Sequence, residues 1–382
     1  MNGADEMSII WFSIVVGILV LIQAQLFHFL GLKKVVYQRF FNRHSVFEGE
    51  KAEMIETLEN KKLIPIPWLR VESRISPYLR FKKKSSEELD IMHEQFHRSS
   101  FFLRGYRRLT RRHEITCSHR GYFRLDTAFL TTGDLFGIYT SSQEFHGDSE
   151  LYVYPRIPNS DELSQISLKW QGDVTMKRWI MPDPILVNGI REYRSGDPQK
   201  DIHWGATART GQLQVKVHDY TVSPRLMLIL NVQSSENLWG IMSEDEKEFI
   251  EEGIRYAAYL SDWGITNGLE VGFICNGSLD DTHETVHIAP ACSPAHLEAL
   301  MQSLAKLRII CERNLHVLLD DLYESGTTGL DIAVISAYWN DVFENRANML
   351  RSLGNSVTFI PIRETAPAYR KEAEYGSKKE AV

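Results

Sequence analysis

The sequence predicts an α+β protein in three parts: an N-terminal transmembrane helix, a small antiparallel β-sandwich-like domain, and an α/β domain on the C-terminal side. Three observations predict it. Residues 7–32 form one long apolar stretch. Residues 33–160 hold several short segments in which apolar and polar residues alternate between turn signals. Residues 226–364 alternate continuous apolar runs with amphipathic stretches, the pattern of a mainly parallel sheet covered on both faces. The expected divisions are 1–32, 33–160, a linker with a dense polar segment over 161–225, the α/β domain over 226–364, and a charged, mobile tail over 365–382.

The apolar stretch runs from Met7 to Leu32 and carries no charge between Met7 and Ile22. About 26 residues of this composition cross a bilayer once but not twice. Trp11 near one end and His28 near the other suit the two interfaces. A cleaved signal peptide fits less well, because Asp5 and Glu6 stand where a basic segment would be needed and no small-x-small site follows. A buried soluble helix would show one polar face. Lys33, Lys34, Arg39 and Arg43 follow the stretch, and no Lys or Arg precedes it. The positive-inside rule therefore predicts a single-pass plasma-membrane protein with its C-terminal domains in the cytoplasm. Cys117, Cys275, Cys292 and Cys311 form no C-x-x-C pair and read as reduced thiols.

The 382 residues carry a net charge of -7, unevenly spread. Lys33 to Arg124 holds 21 Lys and Arg against 11 Asp and Glu. This basic stretch suits an anionic lipid surface next to the anchor better than it suits nucleic acid, which is not expected as a partner. Within it, Val46–Glu50, Met54–Leu58, Leu69–Glu72, Phe101–Leu103, Glu114–Ser118 and Tyr122–Leu125 read as strands. Pro65 and Pro67 suggest an edge strand or a bulge.

In the C-terminal part, strands are expected at Leu226–Val232, Glu270–Cys275, Thr285–Ile288, Asp331–Ser336 and Val357–Ile362. Helices are expected at Ser243–Leu260, capped by Ser243 with Glu244, Asp245 and Glu246 in the first turn, and at Pro294–Arg308, Leu315–Tyr323 and Asp341–Leu353. Between the two domains, Arg191 to Asp219 is unusually rich in Arg, His and aromatic residues. Asp197 as N-cap, Pro198 at the first helical position and Gly211 past the end predict one short helix over 198–209.

That segment resembles the signature of the domain-of-unknown-function 58 family, roughly R-x-Y-x-x-G-D, then I-H-W, then A-R-x-G-x-L. Arg191, Tyr193, Gly196 and Asp197 supply the first part, Ile202, His203 and Trp204 the second, and Ala208, Arg209, Gly211 and Leu213 the third. Arg120-Gly121-Tyr122 and Gly133 to Gly137 also resemble the family's β region. The resemblance implies a von Willebrand factor A-like (Rossmann-like) α/β domain and a partnership with a MoxR-type AAA ATPase. It also implies a two-helix anchor in many relatives, where this chain shows one span.

A von Willebrand A-like domain often binds Mg²⁺ through Asp-x-Ser-x-Ser after its first strand. Here the corresponding residues are Asn231, Gln233 and Ser235, and only the serine matches. Without the carboxylate the strongest hard ligand is gone, so no metal is expected there. His93-Glu94-Gln95-Phe96-His97 matches H-E-x-x-H, but it lies in the β region and lacks an obvious third ligand. Arg191, Arg194 and Arg209 either pair with Glu192, Asp197 and Asp201 to lock the linker in place or form, with His203 and Trp204, a docking surface. Neither Ser195 nor Ser235 has an evident histidine partner. The expectation is a membrane-anchored, non-enzymatic scaffold without a cofactor. Its bilayer contact is residues 7–32, and its interaction residues are Arg191, Tyr193, Arg194, Gly196, Asp197, His203, Trp204, Arg209 and Gly211. The alternatives are a metal-dependent or other hydrolase using the Arg191–Arg209 cluster or the 93–97 stretch, and an outward-facing metal-dependent adhesion module.

Overall fold

The computed structural model describes residues 3–82, 89–91, 94–158, 187–194, 199, 202–218, 225–236, 242–280, 282 and 284–362. The expected tail over 365–382 lies outside them, as do His93, Ser195, Gly196, Asp197, Pro198 and Asp201. The chain divides into two compact units, Met1–Arg156 and Ile157–Val382. Among the described residues the protein is a mixed α/β chain with several antiparallel sheets and one N-terminal apolar helix.

The first unit opens with helix α1 (Gly3–Leu30), of which Ile9–Leu30 is long and apolar enough to cross a membrane. Twelve strands follow among the described residues. Strands β1 (Val35–Phe41), β3 (Lys51–Asn60), β8 (Arg108–Cys117) and β5 (Leu79–Phe81) form a four-stranded sheet in that order. A second sheet has the order β11 (Thr140–His146), β10 (Thr127–Gly133), β4 (Ile66–Ile75), β7 (Glu94–Leu103) and β6 (Leu89–Ile91). A third joins β2 (Ser45–Phe47), β12 (Glu150–Tyr154) and β9 (Gly121–Arg124), and its β2–β12 pair is parallel. The sequence alternation is realised most fully in β3, where Ala52, Met54, Glu56, Leu58 and Asn60 all point inward. β4 is not an edge strand: it lies between β10 and β7. The Pro67 signal appears instead as a register shift between Ile66 and Leu69, because proline has no N–H for the ladder.

Two apolar clusters fill this unit. One gathers Tyr37, Leu58, Leu69, Val71, Phe101 and Leu130, and the other Met54, Ile75, Leu79, Ile115, Leu151 and Val153. Each buried aliphatic side chain contributes roughly 1.5–3 kcal/mol.

In the second unit, β13 (Val187–Glu192) and β14 (Gln214–His218) form an antiparallel pair joined through the short helix α2 (Trp204–Thr210). α2 starts at Trp204, after Ile202 is held in a β-bridge to Val215 and His203 N donates to Gln214 O at 2.7 Å; the expected start at Pro198 lies outside the described residues. Gly211 does end the helix, at φ 72°.

A six-stranded sheet then runs β17 (Thr285–Ala291), β16 (Glu270–Leu279), β15 (Arg225–Leu230), β19 (Leu330–Ser336) and β20 (Ser356–Pro361), with β18 (Leu307–Cys311) also paired to β16. β16, β15, β19 and β20 are parallel, whereas β17 and β18 are antiparallel. Helices α3 (Glu244–Thr266), α4 (Pro294–Lys306), α5 (Leu315–Glu324) and α6 (Asp341–Ser352) cover it. Met227 and Ile229 of β15 pack with Leu319, Phe343 and Leu350 of α5 and α6. Leu226 and Leu230 lie beside Gly264 and Gly253 of α3, where small residues let the helix approach. The two-sided burial accounts for the unbroken apolar runs.

Ser243 caps α3 as expected: its side chain accepts from Glu246 N, and Glu246 returns to Ser243 N at 2.8 Å. Ser243→Ala should therefore lower the unfolding free energy of this unit by about 1 kcal/mol, read from denaturant melts, with Ser243→Thr close to wild type.

Candidate functional site

The sheet order reverses at β15: the next strand, β16, lies on one side and β19 on the other. At such a switch point the carboxyl ends of the strands splay and leave a crevice, the usual place for a ligand in an open α/β sheet. The loop Asn231–Ser235 leaves β15 there. Asn231 and Gln233 are buried and Ser235 is half-buried.

Asn231 is held by β16, β19 and its own loop. Its Oδ1 accepts from Asn276 Nδ2 at 2.8 Å and from Gln233 N at 3.2 Å, and its Nδ2 donates to Ser336 Oγ at 2.9 Å. Ser336 Oγ donates in turn to Tyr338 O at 2.8 Å, and Asn276 Oδ1 accepts from Val232 N at 2.8 Å. Both lone pairs of the Asn231 amide oxygen are already occupied, and the network contains no charge. Burial pushes the Cys311 thiol beside it up to about 11, so that sulfur stays protonated at neutral pH. A cleft of 240 Å³ opens nearby, lined by Glu236, Asn314, His316, Tyr338, Asn340, Val342 and Phe343.

The signature residues fall on the β13–α2–β14 segment. Among its described residues Ile202, Gln214 and Val215 are buried, and Thr207 Oγ1 accepts from Gln214 N at 3.0 Å. His203 is the N-cap of α2: its Nδ1 accepts from Ala206 N at 3.0 Å, which leaves the neutral ring's proton on Nε2. Tyr193 is half-buried, while Arg191, Arg194, Arg209 and Gly211 are exposed. Trp204 stands 67% exposed, and Ile190 and Leu213 of the same segment are exposed as well. α2 buries none of its residues.

The H-E-x-x-H pattern needs a helix, whereas Glu94–Leu103 is a strand; His93 lies outside the described residues. His97 belongs to a different constellation, which the sequence reading did not find. It points inward from β7 toward Glu56 of β3 and His113 of β8, and ligand-type atoms of the three lie within 4.8 Å of one another. Glu56 Oε1 accepts from Tyr37 OH at 2.8 Å; its Oε2 is 2.9 Å from His113 Nε2 and 3.5 Å from Ser99 Oγ. Phe81 stacks on His97. Burial alone would raise the Glu56 carboxyl, yet the hydrogen bonds from His113 and Tyr37 hold it below its ordinary value. Burial pushes His97 down to about 4. The donor set is of a kind that takes a transition metal, but the carboxylate already has Tyr37, His113 and Ser99 as hydrogen-bonding partners. Ser99 Oγ lies 3.0 Å from His97 Nε2, but both side chains are buried between the sheets. The only sequence signal for this cluster was inward alternation on three separate strands.

Residues 189–371 match the family model described as "Protein of unknown function DUF58". This segment is a DUF58 segment. It contains the signature residues and the whole six-stranded sheet. The chain is also 21% identical, over 240 residues, to the uncharacterised protein YeaD of Bacillus subtilis (strain 168), a match covering 61% of this chain. The chain thus spans about 56% of that relative's length. Among solved structures, a non-cellulosomal cohesin from Archaeoglobus fulgidus is 9% identical, with 34% of this chain and 96% of the cohesin covered at a TM-score of 0.22. The CARDB domain of a Pyrococcus furiosus protein is 10% identical, with 31% and 96% covered at a TM-score of 0.19. Likenesses this slight carry no argument about this chain.

Proposed function

We propose that this DUF58 chain is a membrane-anchored, non-enzymatic scaffold whose von Willebrand A-like domain faces the cytoplasm and docks a MoxR-type AAA ATPase in complex assembly or an envelope-related process. The observation that carries the docking reading is the exposed Trp204, with Ile190 and Leu213, on a segment that buries little of itself. A large aromatic held out of the core on a short, well-capped helix is the usual centre of an interface. The sheet order, with an antiparallel edge strand and β15 at the switch point, supports the von Willebrand A-like reading. The neutral, fully hydrogen-bonded Asn231 supports a loop that shapes a surface without holding a cation.

Affinity purification of the full chain from gently solubilised membranes tests this. An AAA ATPase should co-purify, and Trp204→Ala should lower its recovery roughly tenfold or more, as loss of an interface aromatic does. If Trp204→Ala and His203→Ala both keep the partner at normal stability, docking through this segment is wrong. A reporter fused after Val382 tests orientation separately: activity on the outer face would defeat the cytoplasmic placement.

A further inference from the structure

We propose that the β-rich unit makes a second contact with the bilayer, in which the Asp134–Tyr139 loop sits in the headgroup region of the membrane that α1 crosses. This rests on the reading of α1 as a membrane span. One face of α1 is covered by its own unit. Ala24 is fully buried, Gln23 and Phe27 are half-buried, and Gly31 packs on Thr132. Gln23 Nε2 donates to Asp134 Oδ2 at 2.8 Å, and the His28 ring lies 5.1 Å from that of Tyr139. Gln23 is seven residues before Leu30, about 10 Å of helix rise. The loop therefore lies alongside the last two turns of the apolar helix, not beyond its end.

The loop is built to hold its shape there. Asp134 is buried, and its carboxylate also accepts from Phe136 N at 3.1 Å and Tyr139 N at 2.8 Å. Its carbonyl accepts from Trp68 Nε1 at 3.2 Å, and Gly137 takes a φ of 73° that completes the turn. What this frame presents outward is apolar: Leu135 and Phe136 are each 66% exposed and Ile138 is 52% exposed. Three bulky apolar side chains fixed outward beside a membrane span are suited to the interface, where water would otherwise meet them.

A second pair of turns meets the same end of α1. The Lys62 ammonium donates to the Leu30 and Gly31 carbonyls, closing the helix C-terminus. Tyr106 N donates to Lys62 O at 3.0 Å, so the 104–107 turn stacks on the 60–64 turn. Leu63 and Tyr106 project from these turns, with exposed Lys33, Lys34, Arg104 and Arg107 around them. An apolar tip ringed by basic side chains matches anionic headgroups over acyl chains.

The test uses the full chain in nanodiscs of phosphatidylcholine and phosphatidylglycerol. A polarity-sensitive fluorophore is placed on Phe136→Cys in a Cys292→Ser, Cys311→Ser background. The label at 136 should be blue-shifted and lose most of its emission to lipids carrying a nitroxide near the headgroup. A label at Val16→Cys reports the span itself through nitroxides near the acyl chain ends. A label at Lys51→Cys, about 30 Å along β3 from Asn60, should stay unquenched. Quenching at 16 but none at 136 overturns the loop contact while the anchor stands. No quenching at 16 or 136 overturns the anchor and this inference with it. Equal quenching at 51 and 136 also overturns it, since the contact would then not be confined to this end.

Discussion

Acidification from pH 7 to pH 4 is expected to destabilise the β-rich unit by about 3 kcal/mol through His97 alone, roughly a 10 °C fall in its melting midpoint. The sign follows from where the proton goes. In the folded unit His97 is buried and neutral, and burial holds its pKa near 4. In the unfolded chain an ordinary histidine takes up a proton below about pH 6.5. Between those two values the unfolded state binds the extra proton, so stability falls as pH falls. Glu56 adds to the loss lower down: its folded pKa lies below the ordinary carboxylate value, so the unfolded chain is again the first to be protonated. Hydrogen exchange of the 35–156 region in the detergent-solubilised full chain, followed against pH, reads the effect locally. His97→Gln should flatten the part of the curve between pH 6.5 and 4 and leave the Glu56 part. An unchanged slope in that variant would mean that His97 is not the buried neutral group described above.

The same cluster shows what the sequence could and could not convey. Local, nearest-neighbour physics was legible. Ser243 and Glu246 read as a capping box because both partners lie within one turn. The apolar runs at Leu226–Leu230 and Asp331–Ser336 read as two-sided strands because burial on both faces removes every polar position. The Glu56–His97–His113 cluster was not legible, because each residue is one inward position on a different strand and only the pairing of distant strands brings them together. His97 was singled out, but for a local pattern that needs a helix. The Asp197-Pro198 start of the expected helix lies outside the described residues; the described helix begins at Trp204 with His203 as its cap, after the Ile202–Val215 bridge. For His97 a non-local pairing overrode a local signal. The degenerate Asn231-Gln233-Ser235 loop was legible as a missing carboxylate. That its amide is bound by two neighbouring strands and its own loop was not.

Asn231→Asp puts that loop to its most direct test, and the expected result is a loss of about 2–4 kcal/mol from the second unit at pH 7. The substitution keeps the shape of the side chain and changes only its chemistry. Oδ1 can still accept from Asn276 Nδ2 and Gln233 N, but the Nδ2–H bond to Ser336 Oγ becomes an oxygen facing an oxygen. Ser336 can turn its proton to the new carboxylate only by releasing the Tyr338 carbonyl it now serves. A charge in a fully buried position surrounded by amides pays desolvation with only partial return. Its pKa is therefore raised above the unfolded value, and stability should recover as pH falls from 7 toward 5, the reverse of the wild-type trend in the β-rich unit. Hydrogen exchange of β15 and β19 separates the two units and reads the sign directly. Millimolar Mg²⁺ should leave the wild-type exchange unmoved, because a neutral amide with both lone pairs occupied offers a hard cation nothing. Protection of β15 by Mg²⁺ in the wild type would show that the loop opens to bind a cation, and the scaffold reading of this edge would have to yield to a metal-dependent one.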